Sequence, residues 1–329
     1  MQGKLIKIFF FCIGFALFTY LLSLNDLNDI VNQIFFLGFN GFLIIYIIFI
    51  LYFGSDSLSW QMTFTNIRFN ARWASRFFGI RMVGEAYNNI LPAASLGGEP
   101  LKALILKNNY QVSFVDSTSA LIISKTVSML SLVGFIGLAF FLSLDNPRLS
   151  MGQKNAGALL LSIATFFIFI FFILQKKYLL SRISDFLCSK FRKQKLIKFF
   201  EGIKEVDKNF NRFYKNHKKR LALSFFFASL NWFFGVVELY LIFYFLGRPL
   251  SWEDAILLEG LIQLVRTMTF FIPSAIGTQE GAFFLGSQIL LGAAGLGLAA
   301  SLIRRARDFI WIFLSLILSL SFELKKNNL

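Results

Sequence analysis

Long apolar segments, separated by short polar connections, make up most of this chain. Six of them run without a strong break, at residues 5–24, 35–53, 115–144, 156–174, 221–247 and 305–322. A helix of about 20 apolar residues crosses a hydrocarbon core roughly 30 Å thick. A soluble core could bury one such segment, but it could not bury all of them. The pattern therefore predicts an all-α fold, a polytopic membrane helix bundle in which residues 1–329 form a single transmembrane domain.

Two further apolar regions, at about 78–106 and 253–300, are interrupted by residues that break helices. The breaking residues are Pro92, Gly97 and Gly98 in the first region and Pro273, Gly277 and Gly281 in the second. Basic residues flank the first region, so both of its ends are expected on the same side of the membrane. This predicts a re-entrant helical hairpin. For the second region, a hairpin and two full crossings fit the pattern equally well.

The two interrupted regions share a sequence pattern. In each region, an alanine lies two residues after the proline and a glutamate lies seven residues after it. A glycine lies between the alanine and the glutamate, and the glutamates are Glu99 and Glu280. Three predicted spans separate the two prolines, and an odd number of crossings reverses the direction of entry. We therefore predict an inverted repeat, with repeat one at about 1–145, a linking span and basic loop at about 156–220, and repeat two at about 221–322. The alternative is unrelated breaks, since proline and glycine are frequent in membrane helices.

Charge is scarce and unevenly distributed. Only 16% of the residues are charged, yet the net charge is +15. Residues 175–220 hold 15 Lys and Arg against 4 Asp and Glu, which supplies +11 of that charge. The positive-inside rule places this loop, the N-terminus and the C-terminus on the cytoplasmic side of the cell (inner) membrane. Because topology explains the basic loop, no nucleic-acid partner is predicted.

Within the basic loop, apolar residues recur at helical spacing opposite a face of lysines. The apolar positions are Leu196, Phe199, Phe200, Ile203, Val206, Phe210 and Phe213. A basic amphipathic helix at about 176–220 is suited to lie on anionic lipids of the inner leaflet. A solvated linker helix is the alternative.

Polar and ionisable residues inside the apolar segments are the candidate site residues. An ionised group at mid-membrane costs about 2.5–3.5 kcal/mol, so such groups are expected to be paired and to have a use. With the helix breaks, the candidates for a lipid-headgroup cavity are Asn88, Asn89, Pro92, Gly97, Gly98, Glu99, Lys102, Lys125, Glu238, Arg266, Pro273, Gly277, Glu280, Arg304, Arg305 and Arg307. The last three are expected at the outer end of the final span, against the usual charge bias.

Two roles are open for these groups. In the structural interpretation, the carboxylates anchor the helix breaks and neutralise the cations. In the functional interpretation, the cations bind a lipid phosphate together with the N-termini of half-helices that follow the two prolines. Arginine suits phosphate because its planar guanidinium donates two hydrogen bonds at once. The cations proposed for this role are Lys102, Lys125, Arg266, Arg304 and Arg305.

Signals for enzymatic chemistry are missing from the sequence. It contains no GxxxxGK[ST] loop, no metal-ligand cluster and no Ser/His/Asp set, and its one histidine, His217, lies in a basic run. We therefore predict no catalytic residue, no metal site, no cofactor and no enzyme activity. A membrane-embedded transferase acting on lipid is the weakest alternative.

The residues around the breaks resemble a known family. The runs NNILP at 88–92 and GGEPLK at 97–102 resemble the flippase-like family related to the membrane region of lysylphosphatidylglycerol synthases. The run at 273–280 is similar to that family's C-terminal motif. The run RRARD at 304–308, followed by Trp311, is similar to a subgroup associated with hopanoid biosynthesis. In the synthases, the resemblance implies, the membrane region moves an aminoacylated lipid between leaflets and a separate soluble domain transfers lysine; we expect no such domain here.

These observations predict an integral membrane lipid translocase. It would move or bind an anionic or polyprenyl-type lipid headgroup in a midplane cavity, so its predicted partner is a membrane phospholipid or polyprenyl lipid. The alternative is a non-transporting accessory subunit, whose partner would be a lipid- or glycan-modifying enzyme.

Overall fold

The computed structural model describes residues 2–90, 97–176 and 194–326, and all regular structure in these ranges is helical. The α-helices are α1 (Gln2–Ser23), α2 (Leu27–Met62), α3 (Ala71–Ile90), α4 (Glu99–Tyr110), α5 (Phe114–Leu144), α6 (Met151–Lys176), α7 (Gln194–Asn216), α8 (Lys218–Phe245), α9 (Trp252–Met268), α10 (Thr278–Leu291) and α11 (Ala294–Lys326). Pro92 and the first part of the basic loop, 177–193, lie outside the described residues. The predicted all-α fold is confirmed.

Several helices are long and apolar enough to cross a bilayer. Among the described residues they are α2, α5, α8 and the segment Met151–Ile170 of α6. These helices correspond to the second, third, fifth and fourth predicted spans, respectively. A shorter apolar stretch, Phe9–Ser23, lies in α1 where the first span is predicted. The chain is a multi-pass membrane protein.

The second helix is longer than predicted, because the polar run after residue 53 belongs to α2 and not to a loop. The hydroxyl of Ser59 is buried and donates to the carbonyl of Ser224 at 2.8 Å. Seven residues earlier in α2, the carbonyl of Tyr52 accepts a hydrogen bond from Asn231 Nδ2 at 2.9 Å. The earlier residue of α2 therefore contacts the later residue of α8, and the later residue of α2 contacts the earlier one. The two helices pack antiparallel.

The first interrupted region folds as the predicted helical hairpin. Asn88 meets Gly98 near the tip, and the rings of Trp73 and Tyr110 pack at the far end, with their centroids 5.7 Å apart. α3 and α4 are therefore antiparallel.

The second interrupted region is also a hairpin. Thr269 and Thr278 lie 3.0 Å apart near its tip, and Leu258 packs beside Gly286 further along, so α9 and α10 are antiparallel. These helices have 17 and 14 residues. At 1.5 Å per residue they span about 25 and 21 Å, less than the ~30 Å hydrocarbon core. The structure thus favours a re-entrant hairpin over two full crossings.

Helix packing is matched between the two halves of the chain. α3 of the first hairpin packs on α11, and α9 of the second hairpin packs on α5. Likewise α4 packs on α5, and α10 packs on α11. With α2 and α8 antiparallel, this is the arrangement expected of an inverted repeat. The inverted repeat itself, with repeats at about 1–145 and 221–322, stays a prediction.

The last helix begins earlier than predicted. α11 starts at Ala294, so the arginines at 304–307 lie about three turns inside it. Their expected position at the outer end of a span is therefore corrected. The prediction failed because three arginines within four residues suggest a span boundary, whereas these side chains lie among carboxylates of other helices.

α7 is the predicted amphipathic helix, but part of its apolar face has a different partner from the one expected. Val206, Phe210 and Phe213 are buried, and they pack with Ile123 of α5 and Ala228 of α8. For these three residues the expectation of membrane contact is corrected, because the protein itself covers them.

Candidate functional site

Asn88 holds the tip of the first hairpin together. Its Oδ1 accepts a hydrogen bond from the backbone N–H of Gly98 at 2.7 Å, and its Nδ2 lies 3.4 Å from Glu99 Oε1. Residue 98 has no room for a side chain, since a Cβ there would lie 1.8 Å from the carbonyl oxygen of Gly84. The glycine therefore allows α4 to begin in direct contact with the backbone of α3. Gly97 precedes it in the same turn.

Glu99, in the first turn of α4, binds two lysines through one oxygen. Its Oε1 lies 2.9 Å from Lys102 Nζ and 3.2 Å from Lys125 Nζ. Lys102 is fully buried, and it fits because residue 84 is glycine: a Cβ at Gly84 would lie 2.2 Å from Lys102 Cε. The Lys125 side chain, in contrast, is 38% exposed. Lys125 is therefore the lysine of this pair that a ligand can reach.

The second hairpin carries a matching carboxylate, Glu280, in the first turn of α10. Its Oε2 accepts a hydrogen bond from the backbone N–H of Gly277 at 2.7 Å, and its Oε1 lies 2.7 Å from Arg305 Nε on α11. The Arg305 guanidinium also donates to the carbonyls of Ser274 and Ala275, at 2.8 and 3.3 Å. One arginine thus joins the hairpin tip, the start of α10 and the last helix.

The backbone of the second tip is strained where this arginine binds it. Ser274 and Ala275, directly after Pro273, have φ angles of 51° and 48°. Such conformations cost on the order of 1–3 kcal/mol each and persist only where the surroundings enforce them. Gly277 has a φ of 80° and packs against α1, where a Cβ would lie 2.1 Å from the carbonyl oxygen of Gly14. The helix break therefore has a fixed shape.

The end of α3 meets the tip of the second hairpin. Asn89 Oδ1, near the end of α3, lies 3.5 Å from Ser274 Oγ. Asn89 Nδ2 donates to the carbonyl of Glu85 at 3.0 Å, as expected for an asparagine beside a helix break. Because Arg305 binds Ser274, polar contacts continue from α3 through the second tip to α11. The structure therefore brings the end of α3, just before the first predicted break, against the second predicted break.

A second ion-pair network lies between α8, α9 and α11. Arg304 Nη2 lies 2.7 Å from Glu259 Oε2, and Arg304 Nε lies 3.6 Å from Glu238 Oε2. Arg307 also pairs with Glu238, and its guanidinium lies 3.9 Å from the ring centroid of Phe49 on α2. All four charged side chains are almost fully buried. The network therefore holds the second half of the bundle together and leaves no open space at its cations.

The predicted cations differ in whether a ligand can reach them. Lys102, Arg304 and Arg307 are buried and paired, so a phosphate would have to displace their carboxylates. Arg266, in the last turn of α9, is exposed. Within the described ranges it has no hydrogen bond and no ion pair. Arg266 and Lys125 are thus the cations beside the hairpins that a ligand can reach.

Sequence reasoning missed two members of these networks. Asp56 lies in a stretch that suggests a polar connection, yet it is part of α2 and pairs with Arg81 of α3. Gln263 Nε2 donates to Glu259 Oε1 at 2.7 Å. The four-residue spacing of Glu259 and Gln263 is a local signal that could have identified that pair. Asp56 and Arg81 are on different helices and carry no comparable signal.

The match to a family model covers both hairpins and the helices that carry their partners. A family model described as the lysylphosphatidylglycerol synthase TM region matches residues 5–316. The chain is also 25% identical over 237 residues to UPF0104 membrane protein PH1989 of Pyrococcus horikoshii, an alignment that covers 68% of this chain and 69% of that protein. No solved structure matches the chain. The chain therefore belongs to the family of the lysylphosphatidylglycerol synthase transmembrane region.

Proposed function

We propose that this protein binds the headgroup of an anionic or polyprenyl-type lipid beside the meeting point of the two hairpins and moves it between leaflets. The observation that carries the proposal is the contact of Asn89, at the end of α3, with Ser274 in the second helix break. Broken helices are tolerated at membrane depth where they line a protected cavity. In transporters built from inverted repeats, such breaks form the substrate site.

Two open cations favour an anionic headgroup. Lys125 is partly exposed beside Glu99, and Arg266 is exposed at the end of α9. An unpaired arginine is costly at membrane depth, so the presence of Arg266 there indicates a ligand that binds reversibly. A phosphate is such a partner, since it accepts charge-assisted hydrogen bonds from both lysine and arginine.

The carboxylates position these groups in the proposed site. Glu99 holds Lys125 at 3.2 Å while its second oxygen, Oε2, has no hydrogen bond to any described residue. Glu280 fixes the second tip through Arg305 and Gly277. A headgroup phosphate would compete with Glu99 for Lys125. The phosphate can therefore bind at Lys125 and can also be released from it. No covalent chemistry is required of the chain.

The proposal includes an orientation and a surface partner. The loop at 175–220 and both termini lie on the cytoplasmic side of the cell (inner) membrane, because of the basic charge of that loop. Its lysines, opposite the buried face of α7, would contact anionic lipids of the inner leaflet. The narrower similarity to members associated with hopanoid biosynthesis stays a prediction.

The experiment is a lipid-transfer assay in proteoliposomes. The wild type is expected to move fluorescent phosphatidylglycerol between leaflets faster than protein-free vesicles do. The double variant Lys125→Gln with Arg266→Gln should lower that rate by about tenfold or more, because each charged hydrogen bond to the phosphate contributes roughly 1.5–3 kcal/mol.

Arg148→Gln is the matched control, because it removes an exposed cation whose partner is Asp254, outside the hairpin tips. It should transfer lipid at the wild-type rate. Transfer no faster than in empty vesicles, or equal rates in the wild type and the double variant, would contradict the proposed site. Equal transfer of phosphatidylcholine and phosphatidylglycerol would contradict the preference for an anionic headgroup.

A further inference from the structure

A separate cavity of about 290 Å³ lies between α5, α6, α9 and α10. Most of its wall is hydrocarbon: Ala139, Phe140, Leu257, Leu261 and Ile289 contribute side chains to it. None of the ion-paired residues of the hairpin tips lines it. The cavity is therefore a different place from the proposed headgroup site.

Small residues keep this cavity open. Gly157 on α6 lines it, and a Cβ there would lie 3.6 Å from the ring of Phe140, an ordinary contact that leaves the space beyond unfilled. On α9, Gly260 lets the helix approach α5 closely, because a Cβ there would lie 2.5 Å from Ala139 Cβ. A larger residue at position 157 would fill the space beside Phe140, whereas one at position 260 would clash with Ala139 and push α9 away from α5.

One end of the cavity is polar and cationic. Lys154, Gln153 and Ser143 line this end, where α5 finishes and α6 begins. Lys154 Nζ donates to the carbonyl of Leu144 at 2.7 Å. An ammonium has three donors, so two are left for a ligand. An apolar slot with a lysine at its mouth matches the chemistry of a lipid, whose chain is apolar and whose phosphate is anionic.

We propose that this cavity binds one hydrocarbon chain of an anionic phospholipid, with the lipid phosphate at Lys154. The lysine lies at the end of α5 and α6 that is remote from the basic loop, so the bound lipid belongs to the outer leaflet. A cavity lined by hydrocarbon excludes water, and a lipid chain is the apolar occupant that the bilayer supplies.

The position of α9 links this lipid to the rest of the molecule. Leu257, Leu261 and Leu264 of α9 line the cavity, whereas Glu259 on the same helix pairs with Arg304 and accepts a hydrogen bond from Gln263. A bound chain would therefore support the helix whose last turn carries Arg266. The proposal does not depend on lipid transfer, since the site could be occupied in a protein that moves no lipid.

The test is photolabelling of the full chain in phosphatidylcholine vesicles that contain phosphatidylglycerol with a diazirine in one acyl chain. Mass spectrometry then locates the labelled peptides, which are expected at residues 139–160 and 257–264. Gly157→Leu fills the cavity and should lower this labelling by about tenfold, as expected when a few buried CH₂ contacts are lost. Gly134→Leu is the matched control, because a Cβ there meets no atom within 4 Å.

Lys154→Gln tests the headgroup without filling the cavity. It should lower labelling by phosphatidylglycerol by about two- to fivefold, as for one partly exposed ion pair, and Lys154→Arg should restore it. Equal labelling of the Gly157→Leu and Gly134→Leu variants would overturn the site, since it would mean that the probe samples only the general lipid surface. The proposed anionic headgroup would be overturned if Lys154→Gln left the labelling by phosphatidylglycerol unchanged. It would also be overturned if diazirine phosphatidylcholine labelled the wild type as strongly as diazirine phosphatidylglycerol does.

Discussion

The Oδ1 of Asn89 and the Oγ of Ser274 lie 3.5 Å apart, although 185 residues separate them in the chain. Asn89 lies near the end of α3 and Ser274 in the second helix break, and each is fixed locally, Asn89 by the carbonyl of Glu85 and Ser274 by Arg305. The contact therefore links the end of α3 directly to the second hairpin tip.

The contact predicts a cross-link between the tips. In a chain with Cys12→Ser and Cys188→Ser, the pair Asn89→Cys and Ser274→Cys should be joined within one molecule by a short bifunctional thiol reagent. The measurement is the mass of the peptide pair after digestion. Asn89→Cys with Ser143→Cys, at the far end of α5, is the control, and comparable yields from both pairs would argue against the contact.

Removing one partner of the buried network should destabilise the protein. Glu259→Gln removes the carboxylate that lies 2.7 Å from Arg304, and breaking a buried ion pair in this way costs roughly 3–5 kcal/mol. Asp254→Asn removes the partner of Arg148, whose side chain is 51% exposed, and should cost no more than about 1 kcal/mol. Thermal unfolding in one detergent compares the two variants. Equal losses would show that Arg304 does not depend on Glu259.

Two glycine substitutions should change stability in opposite directions. Gly98→Ala places a Cβ 1.8 Å from the carbonyl oxygen of Gly84, so the hairpin must separate at a cost of about 1–3 kcal/mol or more. Gly134→Ala adds a methyl group in open space within α5 and should stabilise that helix by about 0.5–1 kcal/mol. The unfolding temperatures of both variants check this, and a neutral Gly98→Ala would disprove the close approach of α3 and α4.

Tyr214 gives the protein a dependence on alkaline pH outside the membrane spans. Burial raises the pKa of its phenol from 10.0 to about 12, although a hydrogen bond with Thr126 opposes the shift. The folded state therefore keeps a proton that the unfolded chain loses above about pH 10. This contribution to stability is complete below that pH and disappears as the pH rises through about 12.

The loss should approach roughly 3 kcal/mol, and Tyr214→Phe should abolish it. Unfolding temperatures measured between neutral pH and pH 12, for this variant and for Tyr20→Phe at an exposed tyrosine, provide the comparison. A wild-type profile that matches Tyr214→Phe over the whole range would show that the phenol is not shielded when α7 is docked.

Local pattern was enough to predict the breaks, and it could also have identified one of the ion pairs. Proline and glycine marked both hairpins, and Lys102 lies one helical turn after Glu99, where a salt bridge within α4 is expected. Arg304 and Glu259 are on different helices, and their pairing depends on how α9 and α11 pack. No spacing in the sequence encodes that distance.

Polarity misled the prediction in two places for the same physical reason. The serines at the end of α2 suggest a loop, but Ser59 is buried because its hydroxyl bonds α8. The apolar face of α7 suggests a bilayer surface, but Phe210 packs inside the protein. A residue's polarity states which kind of partner it needs, and it does not say whether water, lipid or another helix provides it.

The distribution of charges over α8, α9 and α11 has a consequence for how the chain is made. Glu238 and Glu259 leave the ribosome before Arg304 and Arg307, which must balance them. Until the final helix is inserted, each carboxylate faces the bilayer at a cost of about 2.5–3.5 kcal/mol or becomes protonated. The carboxylates of Glu238 and Glu259, which are inserted first, thus favour insertion of the helix that carries Arg304 and Arg307. A nascent chain interrupted before that moment would expose acidic helices to the quality-control proteases of the membrane.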